Sequence, residues 1–201
     1  MFKKIFFIVF LVLFLALPVG CEPEAPEEPV DEPENVMGYV DQPLTADGSS
    51  DGYPSDPIEE AGAVIYLAYD EEFIYVHLVA EVDGWVSVGF NRSGGGMDGA
   101  NMIIGYLAEN ETPAFRDDVG SGHSHSEAGV AAVEDFYLDR SEGATVIEFS
   151  YPVTFPAEEG YAVEEIMSGE TYSLIIAMHE SSDLIDTKHS TRGSADFQVQ
   201  P

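Results

Sequence analysis

The side chains in this sequence that could do chemistry are one well-placed thioether, a few imidazoles and a single thiol. Met97 follows three glycines in the run Gly94-Gly95-Gly96-Met97-Asp98-Gly99. Three glycines before a methionine make a poor hairpin and leave an apolar side chain at a sheet edge, where another group can sit against it. Glycine lets backbone approach a bulky object closely or take positive φ. His123 and His125 form a His-x-His pair within a Gly/Ser stretch. On a strand both rings would share one face and could bind zinc or copper. In a Gly/Ser loop the pair is less constrained, and no third ligand stands nearby. His77 falls mid-strand, as a surface or hydrogen-bonded histidine or as a ligand, and His179 and His189 flank a polar stretch after an apolar run. Serines near His123 and His125 lack a Gly-x-Ser-x-Gly context, and a surface so rich in carboxylates pairs them by accident. The sequence therefore reads as a module rather than a stand-alone enzyme.

Strands must position these groups. In 85–90, Trp85, Ser87 and Gly89 alternate with Val86, Val88 and Phe90, the period of a strand. Runs 63–69 and 73–80, rich in β-branched and aromatic residues, flank Asp70-Glu71-Glu72 as a hairpin. Further strands are expected at 102–107, 114–119, 128–138, 145–151, 171–178 and 196–200, with one short helical turn at 161–168. The most apolar of these, 171–178, reads as a central strand buried on both faces. The Asp47-Gly48 and Asp51-Gly52 cluster reads as a turn, because its spacing matches no EF-hand loop. Eight to ten short strands and no long helix give an all-β, antiparallel, immunoglobulin-like sandwich.

The block Gly84-Trp85-Val86-Ser87-Val88-Gly89-Phe90, a Gly-rich loop, and then Met97, Ala100 and Met102 resembles the DOMON family. The late Lys188-His189-Ser190-Thr191-Arg192-Gly193 resembles that family's closing block. The likeness runs from about residue 44 to 200. It implies a DOMON-like β-sandwich of secreted redox proteins, one branch of which carries non-covalent haem b between a loop methionine and a late histidine. Carried onto this chain, the resemblance makes Met97 and His189 the axial ligands, with His179 in reserve. Arg192 becomes a propionate partner, and Trp85 and Phe90 flank the macrocycle. Covalent c-type attachment is excluded, since one cysteine cannot form Cys-x-x-Cys-His. The other expectation is a haem-free module binding a sugar or another small ligand.

Residues 1–20 combine Lys3 and Lys4 with an apolar run too short to span a bilayer, a signal-peptide pattern ending before Cys21. The small Gly20 before Cys21 resembles a bacterial lipoprotein signal, with Cys21 lipidated. Pro18 departs from that pattern, since Leu17 stands four before the cysteine instead of three. The other reading is ordinary secretory cleavage with a free thiol. Residues 21–43 read as an acidic, proline-rich tether and 44–201 as the domain. The layout places the domain outside the cytoplasm, reaching a membrane only through its anchor. A formal net charge of −31 excludes nucleic-acid binding and favours a redox partner with a cationic docking surface.

Overall fold

Runs rich in β-branched and aromatic residues at 63–69, 73–80, 86–90 and 145–151 form strands of this chain, as seen in a computed structural model. It describes residues 34–156 and 160–201; the leader and Cys21 readings lie outside the described residues. In order come β1 (Val36–Tyr39), β2 (Ile58–Glu60), β3 (Ala63–Tyr69) and β4 (Phe73–Ala80). Next are β5 (Val86–Arg92), β6 (Asn101–Ala108), β7 (Thr112–Ser121) and β8 (Ser124–Glu127). The set closes with β9 (Glu134–Ser141), β10 (Ala144–Pro152), β11 (Thr171–Met178) and β12 (Thr191–Val199). Among the described residues no helix is long and apolar enough to cross a membrane.

Hydrogen bonding follows one path, β8-β7-β6-β5-β11-β12-β1-β3-β4-β10-β9, with β2 added to β3. The path folds over at β1. Val36 and Met37 pair in parallel with Gln198 and Val199 of β12, whereas Gly38 and Tyr39 pair in parallel with Ala68 and Tyr69 of β3. One four-residue strand therefore belongs to two layers, a corner made by a strand that switches sheet. The first layer is β8-β7-β6-β5-β11-β12; the second is β3-β4-β10-β9 with β2.

Between the layers lies one core. Val86, Val88 and Phe90 of β5 and Leu174 and Ile176 of β11 share it with Ile74, Val76 and Leu78 of β4 and Ile147 of β10. Each such side chain contributes about 1.5–3 kcal/mol when fully buried. Polar pairing also crosses: Asn101 Nδ2 on β6 donates to the Tyr151 hydroxyl on β10 at 2.8 Å. The rings of Phe115 on β7 and Phe149 on β10 stand 5.9 Å apart. This is the expected all-β sandwich, and β11 is its buried central strand, between β5 and β12.

Several local expectations change. Among the described residues twelve strands replace eight to ten. β1 falls inside the stretch read as tether, because Met37 fills the core and is fully buried. Residues 128–133 form no strand: the amides of Ala128 and Ala132 bond to the Asp117 carbonyl and carboxylate instead of to a neighbouring strand. The helical turn expected at 161–168 is absent. Phe155 N donates to Glu164 O and Ile166 N to Val153 O, so the segment runs beside 153–155 and plugs Tyr161, Val163 and Ile166 into the core. The stretch around His123 and His125 is a hairpin, with His125 on β8.

Candidate functional site

Because Val86, Val88 and Phe90 point into the core, Ser87, Gly89 and Asn91 face outward. Register carries that face across neighbouring strands: Ile104 and Met102 on β6, Arg116 and Asp118 on β7, Ala177, Ile175 and Ser173 on β11. An outer sheet face is ordinarily wet. Here Ser87, Asn91, Met102, Ile104 and Ser173 are each no more than 4% exposed. Two loops account for it, one carrying Met97 and one carrying His189.

The first loop, 93–100, is held by its own hydrogen bonds. Asn91 Nδ2 donates to Gly96 O at 2.6 Å and to Asp98 O at 3.0 Å. Asp98 Oδ1 accepts Gly122 N at 2.7 Å, tying the loop to the β7–β8 turn. The glycines serve this packing: Gly94 takes φ +67°, and a Cβ on Gly95 would lie 2.6 Å from Arg92 O. Met97, half-buried, lies directly over β7. A Cβ on Gly120 would come within 1.8 Å of the Met97 carbonyl oxygen and 3.1 Å of its Cγ.

The second loop, 179–190, crosses the other side of this face. His179 Nδ1 accepts Ser181 N and Ser182 N at 3.1 and 2.9 Å, so the reserve ligand is committed to a turn. Its ring lies 6.5 Å from Trp85. Trp85 packs with Ile104 and Ala177 on the outer face, and its Nε1 is buried without an acceptor. Phe90 sits on the opposite side of the sheet, fully buried against Phe155 and Phe197. Trp85 and Phe90 therefore look into different spaces. Arg140 of β9 clamps the loop from the second layer, giving Asp183 two bonds at 2.7 and 2.8 Å.

His189 is half-buried near the end of this loop. Burial first, then the charges of Arg192 and Lys188, hold its imidazole below the ordinary value and favour the neutral ring; the charge of His125 also reaches it. Arg192 lies exposed on β12, opposite Ala177, and joins no ion pair among the described residues.

Asp118, Arg116 and His125 form a group that the sequence reading did not single out as a unit. Asp118 is fully buried, accepts Arg116 Nε and Nη2 at 2.6 Å each, and pairs with His125 Nδ1. Burial alone would raise the Asp118 carboxyl. Bonds and charge from His125 and Arg116 outweigh it and hold Asp118 below the ordinary carboxylate range. Arg-x-Asp on one strand puts both side chains on one face, the one signal that could have found the pair.

The outer face of the second layer has its own polar knot. Glu148 Oε2 accepts Asp47 N and Gly48 N at 2.8 and 2.7 Å, and Oε1 accepts the Tyr53 hydroxyl at 3.2 Å. His77, buried beside Tyr53 and Tyr66, has Nδ1 4.0 Å from Glu148. The Asp/Gly cluster is thus a turn whose amides are captured by one carboxylate. Among the described residues no three His, Cys, Asp or Glu side chains are arranged to hold a metal ion. An open cleft of about 520 Å³ runs between Tyr106 and Leu184, and another of about 480 Å³ beside Glu60 and Thr171; neither is lined by Met97 or His189.

Two packed layers with one outer face closed by loops define a β-sandwich module. The chain belongs to the DOMON domain family, whose model matches residues 62–179. That match contains Trp85, the Gly-rich loop and Met97; His189 and Arg192 lie beyond it. Among solved structures, the chain is similar to the cytochrome b domain of a pyranose dehydrogenase from Coprinopsis cinerea, at 13% identity and a TM-score of 0.49, covering 67% of this chain and 75% of that one. The cytochrome domain of Myriococcum thermophilum cellobiose dehydrogenase aligns at 13% identity and 0.47, covering 68% and 74%. A family 9 carbohydrate-binding module from Caldicellulosiruptor kristjanssonii, in complex with cellotriose, aligns at 10% identity and 0.47, covering 83% and 93%. No curated protein matches the chain significantly.

Proposed function

We propose that this DOMON domain binds haem b without a covalent link and passes single electrons outside the cytoplasm. The observation that supports the reading is the covered face of the first layer, over which the Met97 loop and the His189 loop both close. The donor set fits: a soft thioether on one loop, and on the other an imidazole held neutral by burial and by Arg192 and Lys188. Trp85 Nε1 supplies a buried donor still lacking an acceptor on the same face. Arg192, in no ion pair among the described residues, offers a cation for a propionate. When bound, haem supplies one-electron iron chemistry, and two axial protein ligands suit electron transfer better than oxygen chemistry. Met97 and His189 would hold the iron, and the two loops would keep water off the face.

In this reading catalysis belongs to a partner protein. The acidic surface draws a cationic redox partner, with association weakening as salt rises. Lipidation at Cys21, followed by the acidic proline-rich run, would hold the domain near a membrane. The test is an absorption spectrum of the full chain after haem addition, oxidised and then dithionite-reduced. The expected result is a Soret band with sharp reduced α and β bands, altered by Met97→Ala and by His189→Ala. Absence of uptake overturns the reading and turns attention to sugar binding.

A further inference from the structure

We infer that the cleft between Tyr106 and Leu184 is the docking site of a basic partner protein, which lays an arginine or lysine stem along it with the charged end between Glu109 and Asp186. This rests on the cationic partner proposed above and names the surface that receives it. Shape comes first. The cleft, about 520 Å³, opens between the end of β6 and residues 183–186 of the covering loop. Its inner side is apolar: Tyr106 and Ile185, half-buried, pack against the cluster of Trp85, Ile104 and Ala177. Leu184 lines the outer side and is 73% exposed, more than any other large apolar side chain among the described residues. It is not slack. Leu184 N donates to Ser182 Oγ at 3.1 Å, and Leu184 O accepts Thr187 N at 2.8 Å. The adjacent Asp183 is gripped by Arg140. The leucine is therefore held out by its backbone, and a partner meets a surface that needs little further ordering.

Charge names the occupant. Glu109 stands exposed on the turn after β6. The Asp186 side chain is 94% exposed, and its one ion pair among the described residues is a 4.0 Å approach to Arg116 Nη1. That guanidinium already gives Nε and Nη2 to Asp118. Asp183, the third acid of the lining, is neutralised by Arg140. An apolar trough with two available carboxylates at its rim suits a side chain that is apolar along its stem and cationic at its tip, the build of Arg and Lys. An aromatic ring in the lining adds attraction for a cation. A second copy of this chain is a poor occupant, because each copy carries a formal net charge of −31. The loop that lines the cleft carries His189 three residues beyond Asp186, so a partner seated here lies beside the covered face.

The experiment titrates the full chain, without haem, with a capped pentapeptide alternating leucine and arginine, and follows backbone amide chemical shifts. A glutamine-for-arginine peptide and cellobiose are the comparison ligands, and circular dichroism confirms that each variant folds. Shifts should cluster at 106–109 and 184–186. Leu184→Ser should weaken binding about 10-fold, since the peptide covers that side chain. Glu109→Gln with Asp186→Asn should weaken it about 5-fold and flatten its salt dependence. Glu71→Gln with Glu142→Gln removes the same charge from exposed sites elsewhere and should change it less than about 2-fold. Equal losses in the two double variants, or shifts spread over the acidic surface, overturn the cleft and leave a cationic partner drawn by net charge alone. Equal affinity for the glutamine peptide, or shifts at these amides with cellobiose in place of the arginine peptide, overturns the cationic occupant. No binding of the arginine peptide by wild type overturns docking site and cationic partner together. Haem uptake is measured separately, and its failure leaves every one of these outcomes readable.

Discussion

Replacing Asp183 with Asn tests how the His189 loop is held. Arg140 Nη1 and Nη2 donate to the two Asp183 oxygens at 2.7 and 2.8 Å, and Leu107 N donates to Oδ1 at 3.0 Å. Nη2 also reaches Gly84 O at 2.9 Å, so the guanidinium joins the second layer both to the covering loop and to the turn before β5. Asn keeps the size but removes the charge and turns one acceptor into a donor facing a cation. A bond to a charged group contributes about 1.5–3 kcal/mol. The side chains are 13% and 27% exposed, so water screens part of this. A loss of about 2 kcal/mol is expected at neutral pH, or about 4–8 °C in melting temperature for a domain of this size. The pH dependence fixes the cause. Burial pushes the Asp183 carboxyl up, but Arg140 and the Leu107 amide outweigh it and hold it below its ordinary value. A depressed carboxylate stabilises the fold above its unfolded pKa, about 3.9, and that contribution fades as pH falls through the folded value. Urea unfolding at pH 7 should therefore separate Asp183→Asn from wild type, and the gap should close in acid. Hydrogen exchange at Asp83 and Trp85, whose amides bond to Glu180 O and Ser182 O, should speed up in the variant. Equal midpoints at pH 7, or a gap that persists at low pH, would refute the clamp.

Two further outcomes follow from buried anchors. Asn91→Ala frees the Gly96 and Asp98 carbonyls and should cost about 1–3 kcal/mol, with new protease nicks inside 93–99. Glu148→Ala leaves the Asp47 and Gly48 amides and the Tyr53 hydroxyl without their acceptor. At about 1–3 kcal/mol for each buried unpaired group, it should lower the urea midpoint more than Asn91→Ala does and expose 44–53 to proteolysis.

Alternation made the sandwich legible: the hairpin of β3 and β4, the inward trio Val86, Val88 and Phe90, and the central β11 all follow from period and composition. What escaped was set by partners distant in sequence. Met37 reads as part of a polar tether until β12, some 160 residues later, supplies its register. Segment 128–133 looks like a strand, yet Asp117 takes its amides. Of the site, the Gly-rich loop announced Met97, but nothing local told that Asn91 would pin it. Phe90 was expected beside a cofactor, although the same alternation that placed Trp85 outward had already sent Phe90 into the core. Asp118 stayed hidden because an acidic residue among 38 carries little information until Arg116 and His125 converge on it.

The shared strand β1 also sets a timetable. Its first two residues need β12 and its next two need β3, so the N-terminal strand cannot complete its bonds until the C-terminal one has been made. Contacts of such separation slow folding, because the loop must close before the contact rewards it. While the chain emerges, the half of β1 that awaits β12 stays open to foreign strands, the circumstance in which chaperones matter. A chain cut short before Thr191 would thus lose more than its last strand: β1 would be left with half its register, and the corner joining the layers would fail with it.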